Sequence, residues 1–213
     1  MSYWQPVLRY DTLIFDLGGV LMKHNMQGCI NSFVDLLGED KVRHALGLGS
    51  DGEGATDSLM IRYEQGLVST DEFINAIMEE AKPGTTRQDV INAWLSMHDH
   101  IPEERLQYVR MLRNQGYRTV LLSNNNDLHW HDVMSKYPVS ECFDRFFLSH
   151  EMHLSKPDPC MFIQIAEVLD TAPERTVFID DLEQNRIAAE QTVGWHTCAD
   201  IEELKQMLIS SDR

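Results

Sequence analysis

The stretch Thr12-Leu-Ile-Phe-Asp16-Leu-Gly18-Gly19-Val-Leu21 decides the fold. Its first four residues form an apolar run of strand length. The run stops at a carboxylate and two glycines, which interrupt regular structure. From 22 to 99 the pattern holds helices only. Ser69-x-x-Glu72 is a capping box ahead of Phe73, Ile74, Ile77 and Met78. Thr86-x-x-Asp89 opens a weaker stretch carrying Val90, Ile91, Trp94 and Leu95.

Downstream, helices and strands alternate. Pro102 suits a first helical position and Gly116 a helix end, so 103–115 reads as a helix. Strands are expected at 118–122, 145–148, 176–179 and 196–198, and helices at 128–136, 158–169, 183–192 and 201–209. Repeating helix–strand units predict an α/β fold: a Rossmann-like parallel sheet with helices on both faces and right-handed crossovers. The all-helical block after the first strand is then a small cap domain, 22–99, over a core made of 1–21 and 100–213.

Acidic residues outnumber basic ones 34 to 18 among 213, a formal charge of -16. Such a surface repels phosphate backbones and anionic lipids, which argues against nucleic-acid and membrane partners. It also repels a small anionic substrate unless a cation and local basic groups reverse the field at the site. The first ten residues lack a basic segment leading into an apolar run, and no apolar stretch reaches the ~20 residues of a membrane helix. Cys29, Cys142, Cys160 and Cys198 are scattered, so reduced thiols in a cytoplasmic protein are expected. Nothing in the sequence sets the oligomeric state.

Ligands of an open parallel sheet bind beyond the carboxyl ends of its strands. The first strand ends in Asp16, the second in Ser123-Asn124 and the fourth in Asp180-Asp181. Lys156 follows the third, within Ser155-Lys-Pro-Asp-Pro159. Three carboxylates on one rim raise one another's pKa unless a cation sits among them. Hard oxygen ligands favour Mg²⁺. Asp181 with Gln184 also reads as a helix cap, which leaves Asp180 unexplained. Lys156 precedes a helix start, where the dipole disfavours a cation; a bound anion removes the conflict, and a solvated lysine is the plainer alternative. Ser123 reads either as a cap or, flanked by the Asn124 and Asn125 amides, as a ligand of a phosphoryl oxygen.

Phe15-Asp-Leu-Gly-Gly-Val-Leu21, Leu121-Leu-Ser-Asn124, Ser155-Lys-Pro-Asp-Pro159 and Phe178-Ile-Asp-Asp181 resemble, in order, the four motifs of the haloacid dehalogenase superfamily. The likeness spans nearly the whole chain, helical insertion included. Ser123-Asn-Asn-Asn-Asp-Leu-His129, Tyr137-Pro138, Phe147-Leu-Ser149 and Asp180-Asp-x-x-x-Asn185 are similar to the bacterial α-D-glucose-1-phosphate phosphatase type. The resemblance implies a magnesium-dependent phosphatase of small phosphorylated metabolites, with sugar phosphates such as glucose 1-phosphate favoured. It implies that Asp16 attacks phosphorus to form an aspartyl-phosphate that water then hydrolyses. Asp16, the Gly18 carbonyl and Asp181 would hold Mg²⁺, and Asp180 would orient a metal-bound water or Lys156. Ser123 and Lys156 would neutralise charge on the phosphoryl oxygens, with Asn124 and Asn125 binding substrate.

One position departs from the pattern. Most phosphatases of the superfamily carry a second Asp two residues after the nucleophile as general acid and base, a role commonly worth ~10²–10⁴ in rate. Here that residue is Gly18. His24, which titrates near neutrality, is the candidate substrate contact and substitute proton donor, with an ordinary surface histidine as the alternative. His98, His100, His129 and His131 are weaker candidates for lining the cleft, and Trp94, Met60, Met78 and Met97 read as cap core. Two other functions compete: a haloacid dehalogenase, in which Asp16 attacks carbon without a metal, and a catalytically weak binding module on the same fold. The Asp180-Asp181 pair weighs against the first, and Asp16 together with Lys156 against the second.

Overall fold

The computed structural model describes residues 9–46 and 58–211; most of the N-terminal stretch read above for a targeting signal lies outside them. Five strands form one sheet: β1 (Thr12–Phe15), β2 (Arg118–Ser123), β3 (Arg145–Leu148), β4 (Thr176–Ile179) and β5 (His196–Cys198). All pairs are parallel, in the order β3-β2-β1-β4-β5. The chain runs outward to β3 on one side of β1 and to β5 on the other. The strand order therefore reverses at β1, which opens a crevice beyond its carboxyl end. Phe15 is level with Leu121 and Ile179, so Asp16 and Asp180 leave the sheet side by side.

Strands buried on both faces read as continuous apolar runs, and β1 and β4 are buried throughout. Alternate residues feed two cores. Leu13, Phe15, Leu121 and Val177 pack on one face, and Ile14, Val120, Phe178 and Trp195 on the other. The covering helices are α6 (Glu103–Asn114), α7 (Asp127–Lys136), the short α8 (Ser149–Met152), α9 (Pro159–Leu169), α10 (Glu183–Val193) and α11 (Ile201–Ser211), the helices before these being α1 to α5. Gly116 follows α6 at φ 98°, the left-handed region where glycine ends helices without strain. The expected α/β architecture is found, with strand bounds off by one residue at most.

Between β1 and α6 lie α1 (Met26–Leu37), α2 (Glu39–Ala45), α3 (Leu59–Glu64), α4 (Thr70–Glu80) and α5 (Arg87–Leu95). They enclose their own cluster, in which Phe33, Tyr63, Phe73 and Trp94 are almost fully buried. Met97 belongs to it, and Met60 and Met78 pack at its edge. Both capping boxes form reciprocally, and their hydrogen bonds hold the Glu72 and Asp89 carboxyls below the usual range. Two capping alternatives fail. Asn126, not Ser123, caps α7, and Leu182 opens α10 with no side-chain cap, so Asp181 is not used as one. The four cysteines are free thiols. No helix among the described residues is long and apolar enough to cross a membrane.

Candidate active site

The rim residues meet at the floor of a cavity of about 310 Å³ between the sheet and the helical block. Lys156 is its electrostatic centre. The residue is 5% exposed, and Nζ lies 2.9 Å from Asp16 Oδ1 and 2.6 Å from Asp180 Oδ2. A weaker bond of 3.3 Å reaches the Leu122 carbonyl. Burial works against the ammonium charge, but the two carboxylates outweigh it and hold the Lys156 pKa above its ordinary value. The solvated-lysine reading is thereby corrected. A buried ammonium at this depth is kept only with partners.

Asp16 Oδ1 also accepts the Leu17 amide at 2.7 Å, while Oδ2 has no partner among the described residues. Burial raises the Asp16 pKa to about 7; Lys156 pulls it down and Asp180 pushes it up. Asp180 is fully buried and fully engaged. Its Oδ1 accepts the Leu182 amide and Asn185 Nδ2, and Oδ2 accepts Lys156. Asp181 is exposed, and its carboxylate has no hydrogen-bond partner among the described residues. Arg186 holds the Asp180 and Asp181 carbonyls at 2.7 and 2.9 Å, which fixes the loop. One ligand oxygen from each of Asp16, Asp180 and Asp181 falls within 4.8 Å of the others.

The two glycines are needed for close approach. Gly19 has φ 72°, and a Cβ there would lie 2.2 Å from the Asp181 carboxylate. A Cβ on Gly18 would lie 1.9 Å from His24 Nε2. His24 opens onto the cavity, and desolvation outweighs the negative charge of Asp181 to lower its pKa.

Ser123 is 3% exposed, and among the described residues its hydroxyl makes only a long 3.3 Å bond to the Asn124 carbonyl. The side chain of Asn124 clamps the Lys156 backbone, accepting from its amide at 2.9 Å and donating to its carbonyl at 3.0 Å. The backbone amide of Asn125 donates to Ser149 Oγ at 2.8 Å, so the expected amide cradle is corrected there. What Asn125 offers instead is Nδ2, buried at the cavity without a partner among the described residues; Oδ1 is fixed by the Asn126 amide.

His98 also lines the cavity, with burial driving its pKa down to about 2. Its ring lies 4.0 Å from His129, which stacks on Trp94 at 5.0 Å and is lowered to about 4 by burial. His129 is thus packed in the core, while His100 pairs with Asp99 and His131 lines a separate groove. One site residue was quoted from sequence without a role, and one was not singled out at all. Asn185, quoted in the motif that begins at Asp180, lies in the first turn of α10 and donates to the Asp180 carboxylate. Glu64, at the end of α3, carried no signal, because nothing local marks which helical residue will overhang the rim.

Comparison with known proteins matches this arrangement. The haloacid dehalogenase-like hydrolase family matches residues 10–191. A D-ribitol-5-phosphate phosphatase of Bacteroides thetaiotaomicron is 25% identical over 184 residues, covering 81% of this chain and 84% of that protein. A crystal structure of a haloacid dehalogenase family enzyme from the same organism, in complex with magnesium and inorganic phosphate, superposes with TM-score 0.80 at 30% identity. It covers 92% of this chain and 98% of its own. A haloacid dehalogenase-like hydrolase from Porphyromonas gingivalis superposes with TM-score 0.81 at 28% identity, covering 94% and 98%. With a family match over most of the chain and the motif residues converging on one cavity, the chain belongs to the haloacid dehalogenase-like hydrolases.

Proposed function

We propose that this chain is a magnesium-dependent phosphatase of small phosphorylated metabolites, working through Asp16, with residues 22–99 as cap and 1–21 with 100–213 as core. The observation that carries the reading is the division of labour around Lys156. One carboxylate, Asp180, is consumed in holding the ammonium, while Asp16 keeps one oxygen free and Asp181 keeps both. That leaves Asp16 and Asp181 with carboxylate oxygens that Lys156 does not neutralise, a donor set suited to a hard divalent ion. Asp16, Asp181 and the Gly18 carbonyl would hold Mg²⁺, and the ion would supply positive charge against the phosphoryl oxygens.

The residues then divide the remaining work. Asp16 Oδ2 attacks phosphorus, forming an aspartyl-phosphate as the ester oxygen leaves, and water later cleaves it. Lys156, the Ser123 hydroxyl and Asn125 Nδ2 receive the phosphoryl oxygens, and Asn124 holds the Lys156 backbone in place. Asp180 positions Lys156. His24 stands where the missing acid would begin, and protonates the leaving oxygen.

The named relative that acts on ribitol 5-phosphate favours phosphorylated polyols and sugars as the substrate class, with glucose 1-phosphate a member to test rather than the lead. Phosphate release from a panel of esters, with Mg²⁺ and with chelator, tests the reading; turnover in excess chelator overturns it. The dehalogenase alternative gains nothing from the crowded acidic floor, and chloride release from 2-haloacids would be its signature. A binding-only module has no use for a nucleophile paired to a buried lysine.

A further inference from the structure

Among the described residues, Glu64 is the one carboxyl that the cap contributes to the cavity lining. The turn that carries it is latched to the core. The Ser149 hydroxyl that receives the Asn125 amide also donates to the Glu64 carbonyl. Gln65 Nε2 donates to Ser155 Oγ at 2.9 Å, and His153 Nδ1 lies 2.9 Å from the Gln65 carbonyl. Gly66 follows at φ 65°, where a Cβ would lie 2.2 Å from the His150 carbonyl oxygen. The chain thus comes as near the core as a backbone can, and it fixes Glu64 over the rim.

The Glu64 carboxyl makes no hydrogen bond or ion pair among the described residues. Burial alone raises its pKa to about 7. Glu64 is half-buried, so its unpartnered carboxyl faces the cavity, where a ligand that displaces water must offer it a hydrogen bond. The phosphate end of a substrate is held at the floor by Lys156, so Glu64 meets the other end. Beside Glu64 the cap adds the apolar Met26 and Met97 and the imidazoles of His24 and His98; Glu64 is the acidic group among them. A carboxyl poised between its two forms accepts a hydrogen bond in both and donates in one, which matches a hydroxyl. A second phosphate there would be repelled.

Resting on the phosphatase reading, we propose that Glu64 is a specificity-determining residue that hydrogen-bonds a hydroxyl of the leaving group and so commits the enzyme to phosphate monoesters of polyols and sugars. The test uses the whole chain with Mg²⁺ and compares the parent with Glu64→Leu and Glu64→Gln. The probes are ribitol 5-phosphate, p-nitrophenyl phosphate and phosphoethanolamine. The kcat/KM ratio of the polyol ester to the aryl ester falls at least about tenfold in Glu64→Leu, mainly through KM, because a buried partner is lost. Glu64→Gln, which keeps an acceptor and a donor, recovers part of that ratio and serves alone if the Leu variant does not fold. A ratio within about twofold of the parent in both folded variants overturns the proposal. So does a parent that prefers phosphoethanolamine and loses that preference with Glu64, since the partner would then be an ammonium. No phosphate release from any ester by the parent would remove the phosphatase reading, and this proposal with it.

Discussion

The imidazole of His24 occupies the volume that any side chain at Gly18 would need, with Nε2 1.9 Å from the place of a Cβ. The two positions are therefore coupled. An acid at 18 and this placement of His24 exclude each other, and the chain has kept the histidine.

Leaving-group dependence reads out that exchange. His24→Ala is expected to cost ~10²-fold or more for sugar and alkyl phosphates and little for p-nitrophenyl phosphate, whose leaving group needs no proton. Gly18→Asp alone displaces the ring and lowers activity on both; Gly18→Asp with His24→Ala recovers the alkyl esters, because the new acid enters vacated space. A uniform loss across esters in His24→Ala would assign His24 to binding or packing instead.

Asp180 and Asp181 are adjacent in sequence and opposite in consequence. Asp180→Ala strips a fully buried lysine of one of its two carboxylates, and breaking such a pair costs ~3–5 kcal/mol. Asp181→Ala removes an exposed, unpartnered carboxylate and shifts stability by no more than ~0.5 kcal/mol. Yet Asp181→Ala should abolish the magnesium response as completely as chelator does. Thermal melts with and without Mg²⁺, beside activity, separate the two, and a retained magnesium response in Asp181→Ala would move the metal site elsewhere.

Asp16→Asn is expected to end turnover while the fold survives, since the sheet forms without reference to the rim. Steady-state phosphate release with circular dichroism checks it. Parental activity in a folded Asp16→Asn chain would refute the nucleophile.

Most of the fold was legible because the central strands are buried on both faces and bounded by polar rim residues, so apolar runs and their ends coincide with structure. Asp16, Asp180 and Asp181 were legible for the same reason, since they directly follow strand ends; Lys156, beyond α8, was legible from the Ser155-Lys-Pro-Asp-Pro159 motif. What escaped was non-local. That the Asn125 amide is taken by Ser149, 24 residues away, depends on how β3 sits beside β2. Glu64 is placed by contacts from a turn to residues some 85 to 90 positions downstream, and no local pattern encodes that.

Glu64 also carries a stability signature independent of turnover. Its carboxyl has an ordinary pKa of 4.5 and is raised to about 7 in the folded chain. Between those values the folded state holds a proton that the unfolded state has released, so this group makes stability fall as pH rises from 4.5 through 7. Glutamine has the same shape and no charge at either pH. Glu64→Gln should therefore be more stable than the parent at pH 8, by ~1–2 kcal/mol once partial solvation through the cavity is allowed for, and equal to it near pH 4. For a chain of this size that is a melting shift of roughly 2–8 °C at the higher pH. A gap that is the same at both pH values would trace to packing rather than charge. No gap at pH 8 would mean the carboxyl is well solvated, and the case for a ligand hydroxyl completing it would lose its footing. A stabilised variant with a poorer polyol preference is the expected pairing, because a site that holds an unpartnered acid for its substrate gives up folding free energy to do so.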